Sequence, residues 1–175
     1  MQISIQYFET PFGELVLGAF QENLCLCDWR FRRQRELIDK RIKYYFKSEF
    51  VEEENQILTE TKNQLSEYFN SQRIKFDLPI GLAGTDFQKS VWNELMNIPF
   101  GKTESYLSLS KKLGNSLAIR AVASANGANA ISIIVPCHRI IGSNNELIGY
   151  AGGLEAKRKL LELEGVNLTR QIKLF

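Results

Sequence analysis

A change of pattern near Gly84 constrains the fold of this chain more than any other feature. Before Gly84, short runs rich in Ile, Val, Leu, Tyr and Phe occupy residues 3–8, 13–20 and 24–29. Turn residues separate these runs, and the spacing predicts an antiparallel meander of strands. After Gly84, apolar residues recur at helical spacing instead. The chain is therefore predicted to be a mixed α/β (α+β) protein.

The β-rich region is also predicted to contain two helices, at residues 30–46 and 59–69. Between them, the acidic run at residues 52–54 is typical of a solvated loop. Residues 71–84 are rich in turn-forming Pro and Gly, so they are predicted to connect the two regions of the chain.

Three helices are predicted at the start of the second region. Thr85 and Gln88 have the capping-box spacing, which predicts the beginning of the first helix. The second helix is predicted over residues 105–113, ending before Gly114, and the third over residues 117–126. Two helices joined by a short turn with glycine form the helix-turn-helix pattern, which many helical hairpins share.

The third helix has one side made of small residues. At about 100° per residue, Ala118, Ala121, Ser124 and Ala125 fall together, with Arg120 at their edge. This face indicates either tight packing against a neighbouring helix or close approach of the helix backbone to a ligand, with one cation beside it.

Composition excludes several classes of protein. The apolar fraction is 44% and the charged fraction is 24%, as in an ordinary globular domain. No apolar run approaches the roughly 18 residues that cross a bilayer, so we expect no membrane association. The first residues lack the pattern of a signal peptide, so we expect a cytoplasmic protein with reduced cysteines. Residues 1–83 carry a formal charge of −2 and residues 84–175 carry +4, a bias that suits a polyanionic partner.

The only histidine of the chain, His138, follows Cys137 inside the apolar run 133–141. A thiol is a strong nucleophile only as a thiolate, and an adjacent imidazole is a common means of removing its proton. Residues 131–135 are predicted to form a buried strand that ends at Pro136, which leaves Cys137 at the strand terminus. A turn must follow, because neighbours in a strand point to opposite faces. A buried cysteine can equally be an inert core residue.

The last helix places charged residues among leucines. Lys157, Leu160, Leu161 and Glu164 share one stripe that is predicted to face the core. An unpaired buried charge is costly, so Glu164 needs an internal partner. His138 is the predicted partner, because a carboxylate that orients the imidazole would help it activate a thiol. The alternative is an ion pair with Lys157.

The segment Gly149-Tyr150-Ala151-Gly152-Gly153 precedes this helix. Its glycines allow the backbone to approach a flat ligand closely, with Tyr150 as a wall. The same composition is also compatible with an ordinary loop that leads into a helix.

Together these motifs closely resemble the O6-alkylguanine-DNA alkyltransferases, also called methylated-DNA–protein-cysteine methyltransferases. The resemblance is strong over about residues 85–165 and weak before them. The matching segments are Pro99-Phe100-Gly101-Lys102-Thr103, Ser105-Tyr106, Arg120-Ala121-Val122, Asn129, Pro136-Cys137-His138-Arg139, Gly149-Tyr150-Ala151-Gly152-Gly153-Leu154, Lys157 and Leu160-Leu161-Glu162-Leu163-Glu164-Gly165.

This resemblance implies two domains. Residues 1–83 would form a ribonuclease-H-like α/β domain with an antiparallel sheet. Residues 84–175 would form a mostly helical, winged-helix-like domain that carries the helix-turn-helix and performs both DNA binding and alkyl transfer.

The resemblance also implies a partner and its contacts. The partner would be double-stranded alkylated DNA, bound by a monomer through the minor groove, with the protein associated with the nucleoid during repair. The implied DNA-binding residues are Arg120, Tyr106, Ala118, Ala121, Ala125 and Arg139. Arg120 would fill the gap in the base stack, and Tyr106 would help rotate the damaged nucleotide outward.

The implied catalytic residues are Cys137, His138, Glu164, Tyr106, Asn129 and Lys157, and the implied substrate pocket consists of Tyr150, Ile140, Ala151 and Gly152. Cys137 would attack the alkyl carbon of O6-alkylguanine, and also of O4-alkylthymine. His138, oriented by Glu164, would take the thiol proton through a water. No metal or organic cofactor is expected, and because the product is a stable thioether, each protein would act once.

Three alternatives and two departures from the family pattern remain. A non-catalytic lesion-binding relative would lack the cysteine, a thiol hydrolase would turn over repeatedly, and a zinc site at Cys25 and Cys27 would need further ligands. Ala128 and Ala130 replace the arginine and proline that are common in the family, and an acidic residue, Glu104, stands near the expected DNA phosphates.

Overall fold

The computed structural model describes residues 1–168. The chain divides into two compact units. The first consists of Met1–Thr85 together with Ala130–Ile134, and the second of Asp86–Asn129 together with the chain from Val135 onwards. The predicted mixed α/β class is confirmed by a sheet in the first unit and four helices among the described residues of the second. No helix within residues 1–168 is both long and apolar enough to cross a membrane.

A four-stranded sheet forms the first unit, in the order β3-β2-β1-β4. Its strands are β1 (Gln2–Thr10), β2 (Gly13–Phe20), β3 (Asn23–Trp29) and β4 (Glu49–Glu52). The first three pair antiparallel, which confirms the predicted meander. β2 and β3 are buried in continuous runs, at residues 15–19 and 24–29, so both faces of these strands are covered. β4 joins the edge of the sheet parallel to β1.

The prediction of an acidic loop at residues 52–54 is wrong for Glu52, which belongs to a strand. Glu52 ends β4 and lies opposite Ile5 of β1. The connecting segment at residues 71–84 is also paired, because Leu24 donates its N–H to Pro79 O (2.8 Å) and accepts from Gly81 N (2.9 Å). Both differences depend on partners far away in sequence, which local composition does not reveal.

The helices of the first unit are α1 (Arg35–Phe46) and α2 (Gln56–Phe69). α1 begins later than predicted, because the residues before it form turns. It buries Ile38 and Ile42, one helical turn apart, against the sheet core. α2 begins earlier than predicted, because the side chain of Asn55 accepts a hydrogen bond from Ile57 N (2.8 Å) and caps the helix.

A buried carboxylate, Asp28, joins the end of β3 to the residues before α1. Arg32 and Arg35 each place a guanidinium nitrogen 2.9 Å from Asp28 Oδ2. Asp28 Oδ1 accepts hydrogen bonds from Trp29 N (2.9 Å) and Ser132 Oγ (3.0 Å). We call these five residues the Asp28 cluster.

The second unit is helical apart from one short pair of strands. Its elements are α3 (Asp86–Leu95), β5 (Glu104–Ser105), α4 (Tyr106–Lys112), α5 (Ile119–Gly127), β6 (Ile140–Ile141) and α6 (Leu154–Leu163). The side chain of Ser105 caps α4 by accepting from Ser108 N (3.0 Å). Gly114, with φ of +82°, supports the turn before α5. α4 and α5 pack together as the two predicted helices of the helix-turn-helix.

The strand predicted at residues 131–135 is wrong, although these residues are buried as expected. Ile133 has a φ of +71°, which is incompatible with a strand, and the segment forms a turn. Its backbone bonds to β3 instead, with Ser132 N donating to Cys27 O (2.6 Å) and Cys27 N donating to Ala130 O (2.9 Å). Cys137 therefore does not lie at a strand terminus.

Candidate active site

Cys137 begins a short 3-10 helix, Cys137–Arg139, which supplies the turn that was required after Pro136. The Cys137 N–H donates to Val135 O (2.8 Å), and Ile140 N donates to Cys137 O. Successive side chains on such a helix are about 120° apart rather than opposed. Cys137 is 3% exposed and carries no disulfide.

The predicted partner of His138 lies beside it. His138 Nε2 is 2.7 Å from Glu164 Oε1, and both side chains are fully buried. A carboxylate at this distance accepts a hydrogen bond from Nε2–H, so the lone pair of the neutral ring lies on Nδ1. Nδ1 makes no hydrogen bond to any residue within 1–168. His138 therefore keeps one basic nitrogen available next to Cys137 in the chain.

Arg139 completes the surroundings of Glu164. Its Nε lies 2.9 Å from Glu164 Oε2 and its Nη2 lies 3.0 Å from Oε1, a bidentate pair. Its Nη1 donates to Ile98 O at 2.6 Å. Arg139 is only 7% exposed, which does not fit the DNA contact predicted for it. We reassign it to holding Glu164, because its guanidinium faces the interior.

Gly101 approaches the same carboxylate from the turn after α3. Its N–H points to Glu164 Oε2 at 3.4 Å, and its φ is +76°. A Cβ added here would lie 2.9 Å from Glu164 O, so only glycine fits without displacement. We call Gly101, His138, Arg139 and Glu164 the Glu164 network.

Burial and charge set the protonation states in this network. Burial alone would raise the pKa of Glu164, but the hydrogen bonds and charges of His138 and Arg139 outweigh it and hold the pKa below its usual range. Burial, together with the charges of Arg139 and Lys157, lowers the pKa of His138 below its ordinary value of 6.5 against the opposing effect of Glu164. His138 is therefore neutral at pH 7 and able to accept a proton, while Glu164 is ionised.

Lys157 faces the core as predicted, and so do Leu160 and Leu161. Its Nζ donates to Ile148 O (3.0 Å) and Gly149 O (3.1 Å) and so fixes the loop before α6. Burial lowers the pKa of Lys157 from 10.5 to about 8, against a smaller raising effect of Cys137. The thiol and the ammonium are thus close enough to influence each other's charge.

Two tyrosines lie around the same loop. The Tyr106 hydroxyl donates to Ile148 O at 3.2 Å. Burial raises the pKa of Tyr106, and the negative charge of Cys137 raises it further, so the phenol stays protonated. The ring of Tyr150 lies edge-on to the imidazole of His138, with 6.4 Å between their centroids.

The remaining predicted pocket and hinge residues lie on the elements that flank Cys137. Ile140 is buried in β6, while Ala151 and Gly152 are half-buried in the turn before α6. Asn129 follows α5, and its Nδ2 donates to Val135 O at 2.9 Å. Asn129 thus links the end of α5 to the backbone just before Pro136.

The predicted small-residue face of α5 differs from the observed one. Arg120 and Ala121 are exposed and Ala118 is half-buried, but Ala125 is only 3% exposed. The Ala125 carbonyl accepts a hydrogen bond from Trp92 Nε1 (2.8 Å), which fixes that side of the helix against α3. Ala125 is therefore a packing residue, and the predicted DNA contact at this position is corrected.

Glu104, the acidic residue that departs from the family pattern near the expected DNA phosphates, forms an ion pair with Lys112. Glu104 Oε1 accepts hydrogen bonds from Ser108 Oγ (2.9 Å) and Lys112 Nζ (2.6 Å). The hydrogen bond to Glu104 raises the pKa of Lys112. The ion pair with Glu104 thus offsets the positive charge of Lys112 at the end of α4.

The two cysteines of the first unit differ from Cys137. Burial raises the pKa of the Cys25 thiol to about 12 and raises that of Cys27 as well. Both side chains lie in the sheet core. Among residues 1–168, no group of three or more His, Cys, Asp or Glu side chains could hold a metal ion.

Sequence reasoning missed three features of this site: the inward role of Arg139, the requirement for Gly101, and the burial of Asn126 on α5. The first had a usable signal, since an arginine beside a buried carboxylate and histidine can be drawn into their hydrogen bonds. The second was part of a recognised segment, Pro99-Phe100-Gly101, without an assigned function.

Comparisons with known proteins cover both units. Residues 3–82 match the profile of the 6-O-methylguanine DNA methyltransferase, ribonuclease-like domain, and residues 86–166 match that of the 6-O-methylguanine DNA methyltransferase, DNA binding domain. The methylated-DNA–protein-cysteine methyltransferase of Mycobacterium leprae is 45% identical over 176 residues, which cover 99% of each chain. That of Methanosarcina acetivorans is 42% identical over 159 residues, covering 90% of this chain and 96% of the relative.

Solved structures agree with these matches. The crystal structure of Mycobacterium tuberculosis O6-methylguanine methyltransferase superposes with a TM-score of 0.79 at 34% identity, covering 97% of this chain and 99% of that one. The structure of Mycobacterium tuberculosis OGT in complex with DNA gives a TM-score of 0.78 at 35% identity, with 92% of each chain covered.

Proposed function

The chain belongs to the methylated-DNA–protein-cysteine methyltransferase family, and on this premise we propose that it repairs alkylated DNA by transferring the alkyl group to its own Cys137. One observation carries the choice of Cys137. Of the three cysteines, only Cys137 is adjacent to a neutral, hydrogen-bonded histidine. Cys25 and Cys27 lie in the sheet core, where burial raises their pKa values.

The first step is removal of the thiol proton. Glu164 accepts a hydrogen bond from the Nε2–H of His138, so Nδ1 has the lone pair that takes the Cys137 proton through a water molecule. Arg139 keeps Glu164 ionised and fixed in orientation. The ammonium of Lys157 favours the thiolate, because an opposite charge nearby stabilises the anion.

The second step is a displacement at the alkyl carbon. The Cys137 sulfur forms a bond to this carbon while the carbon–O6 bond of the guanine breaks, and the electron pair of that bond remains on the base. A hydrogen bond from the protonated Tyr106 stabilises the negative charge that develops there. The product is S-alkylcysteine, which has no good leaving group, so each polypeptide acts once. O4-alkylthymine offers the same alkyl–oxygen bond and is a second substrate.

Access to the base requires that the nucleotide leave the duplex. The exposed Arg120 and Ala121 of α5 are suited to a minor groove, where a small side chain allows close approach and an arginine fills the vacated stack. The half-buried Tyr150, beside His138, supplies an aromatic wall for the extruded base. A monomer is sufficient for this arrangement.

The experiment is stoichiometric transfer followed by intact-mass analysis. An excess of duplex containing O6-methylguanine is expected to add one methylene to each protein, on the peptide that contains Cys137. Cys137→Ser is expected to abolish transfer and keep DNA binding, while Cys25→Ser, the matched control in the sheet core, keeps both. Repeated turnover, or an unmodified Cys137 peptide in a protein that still binds the lesion, would contradict the proposal and favour a hydrolase or a lesion-binding protein respectively.

A further inference from the structure

The turn between α4 and α5 presents a leucine that none of the steps described above uses. Leu117 is 94% exposed, which is the highest exposure among the large apolar side chains of residues 1–168. Ile119, the first residue of α5, is 37% exposed and lies two positions further along the chain. Burial of apolar area is favourable, so a surface that covers Leu117 gains free energy that the isolated protein lacks.

The backbone of Leu117 is held in place although its side chain is exposed. Asn115 Oδ1 accepts a hydrogen bond from Leu117 N (3.1 Å), and Asn115 O accepts one from Ala118 N (3.1 Å). The turn is also tied to α4, because Asn115 N donates to Ser110 O (3.1 Å). The chain therefore presents Leu117 from a fixed position, and little backbone entropy is lost when a partner covers the side chain.

The charges around Leu117 identify the kind of partner. Residues 104–128 contain three exposed cations, Lys111, Lys112 and Arg120, and one acidic residue at position 104, a net charge of +2. A polyanion complements this segment. Single exposed leucines are common on protein surfaces, but this one directly precedes α5, whose exposed residues the proposed function assigns to DNA.

We infer that Leu117 is an apolar DNA contact that packs against the deoxyribose wall of the minor groove beside Arg120. The inference rests on the proposed function, in which Arg120 enters that groove. Leucine is among the apolar side chains that proteins place in the minor groove. One extruded nucleotide leaves one gap in the base stack, and Arg120 fills it, so Leu117 meets the carbon atoms of the sugars rather than a base step.

An apolar contact and an ionic contact to DNA differ in their response to salt. Each neutralised phosphate releases counterions, so ionic contacts weaken as the salt concentration rises. Burial of a leucine side chain releases no counterion, so its share of the affinity is the same at every salt concentration. A contact to the sugars also carries no sequence information, so it contributes equally on damaged and undamaged duplexes.

The test measures DNA binding by fluorescence anisotropy at several salt concentrations, in the Cys137→Ser background so that no alkyl group is transferred. Leu117→Ala should weaken binding by about threefold to tenfold through the apolar area lost, and by the same factor on duplexes with and without O6-methylguanine. The slope of log affinity against log salt concentration should not change. Leu117→Met, which keeps an apolar side chain of similar size, should retain most of the affinity.

A charged variant tests the position of Leu117 independently of its apolar character. Leu117→Lys should steepen the salt dependence by about one unit of slope, the value for one additional phosphate contact. Leu37 of α1 supplies the matched control, because it is a leucine of the first unit that is 63% exposed. Leu37→Ala and Leu37→Lys should leave both the affinity and its salt dependence unchanged.

Four results would overturn the inference while leaving the proposed function intact. They are unchanged binding by Leu117→Ala, a loss that varies with salt or occurs only on the damaged duplex, an equal loss in Leu37→Ala, and an unchanged salt dependence in Leu117→Lys. If the Cys137→Ser parent itself binds no duplex, the proposed function fails, and the role of Leu117 fails with it.

Discussion

Each unit of the molecule buries one carboxylate against arginine. In the first unit, Asp28 receives hydrogen bonds from Arg32 and Arg35. In the second, Glu164 receives a bidentate pair from Arg139 and a hydrogen bond from His138. Both carboxylates are shielded from water, and both would be costly without these partners.

The two sites differ in the groups that surround the carboxylate, and only the Glu164 network contains an imidazole. The Asp28 cluster contains guanidinium, hydroxyl and backbone groups and no imidazole. The Glu164 network includes an imidazole, whose pKa burial holds below 6.5. The same electrostatic arrangement therefore stabilises the fold in one unit and, in the other, prepares a base beside a thiol.

The largest effect expected from this comparison concerns the carboxylates themselves. Glu164→Gln should slow methyl transfer by about a hundredfold or more, because the imidazole loses the group that fixes its tautomer. Asp28→Asn should lower the free energy of unfolding by about 3 to 5 kcal/mol by leaving buried arginines unpaired, with the transfer rate of the folded protein within about twofold of the original. Single-turnover transfer rates and urea unfolding are measured for both variants. An equal loss of transfer rate in the two would contradict the separation of a catalytic carboxylate from a structural one.

The pH dependence of transfer sharpens the comparison. Protonated His138 cannot accept the thiol proton, so the rate should fall as pH drops through its pKa. Because burial lowers that pKa from its ordinary value of 6.5, the midpoint of the fall in rate should lie below pH 6.5. Arg139→Met removes a positive charge that lowers the His138 pKa, so the decline should move to higher pH. The matched control, Arg35→Met in the Asp28 cluster, should leave the profile in place, and a shift there would contradict the separation of the two sites.

A glycine pair tests how firmly the Glu164 network is held. Gly101 and Gly114 both have positive φ, +76° and +82°, but only at Gly101 would a Cβ meet backbone, 2.9 Å from Glu164 O. Gly114→Ala should lower the free energy of unfolding by about 1 kcal/mol, the cost of the left-handed conformation. Gly101→Ala should cost about 1 to 3 kcal/mol more through overlap, and it should also slow transfer. Similar losses in both variants would show that the backbone at Glu164 shifts to accommodate the added methyl group.

The smallest effect is expected at a third carboxylate, Glu104, whose side chain is 10% exposed and pairs with the more exposed Lys112. Glu104→Gln should free the charge of Lys112, and DNA affinity at low salt should rise by about twofold to threefold. Fluorescence anisotropy with a duplex at two salt concentrations measures this change. Glu162→Gln, which alters an exposed pair with Arg158 on α6, is the control and should leave affinity unchanged.

The sequence was sufficient where function depends on residue type and helical period. Glu164 and Lys157 were identified as inward-facing because they share a stripe with leucines, and both are buried. The pairing of Glu164 with His138 followed from the cost of an isolated charge and the presence of one histidine. The predicted family was confirmed by the matches over residues 3–82 and 86–166. The α/β class was confirmed by the observed helices and strands.

It was insufficient where a partner distant in sequence decides the outcome. The β-branched run at residues 131–135 predicts a strand, but hydrogen bonds to Cys27 turn it, with Ile133 in a left-handed conformation. The resemblance implied a DNA contact for Arg139, whereas its guanidinium meets Ile98 O and Glu164, two partners that lie far from it in sequence. Ala125 was misassigned because the hydrogen bond from Trp92 sets which side of α5 packs.

The placement of residues 130–134 in the first unit limits how the two units can be separated or recombined. This segment belongs to the first unit although both of its flanks belong to the second. Its isoleucines, Ile131, Ile133 and Ile134, are buried there. A polypeptide that started at Asp86 would still contain them, without the strand edge at Cys27 that satisfies their backbone. The second unit therefore cannot be moved to another protein without losing the hydrogen-bond partners of residues 130–132. Substitutions on the edge of β3 are likewise constrained by residues about a hundred positions later in the sequence.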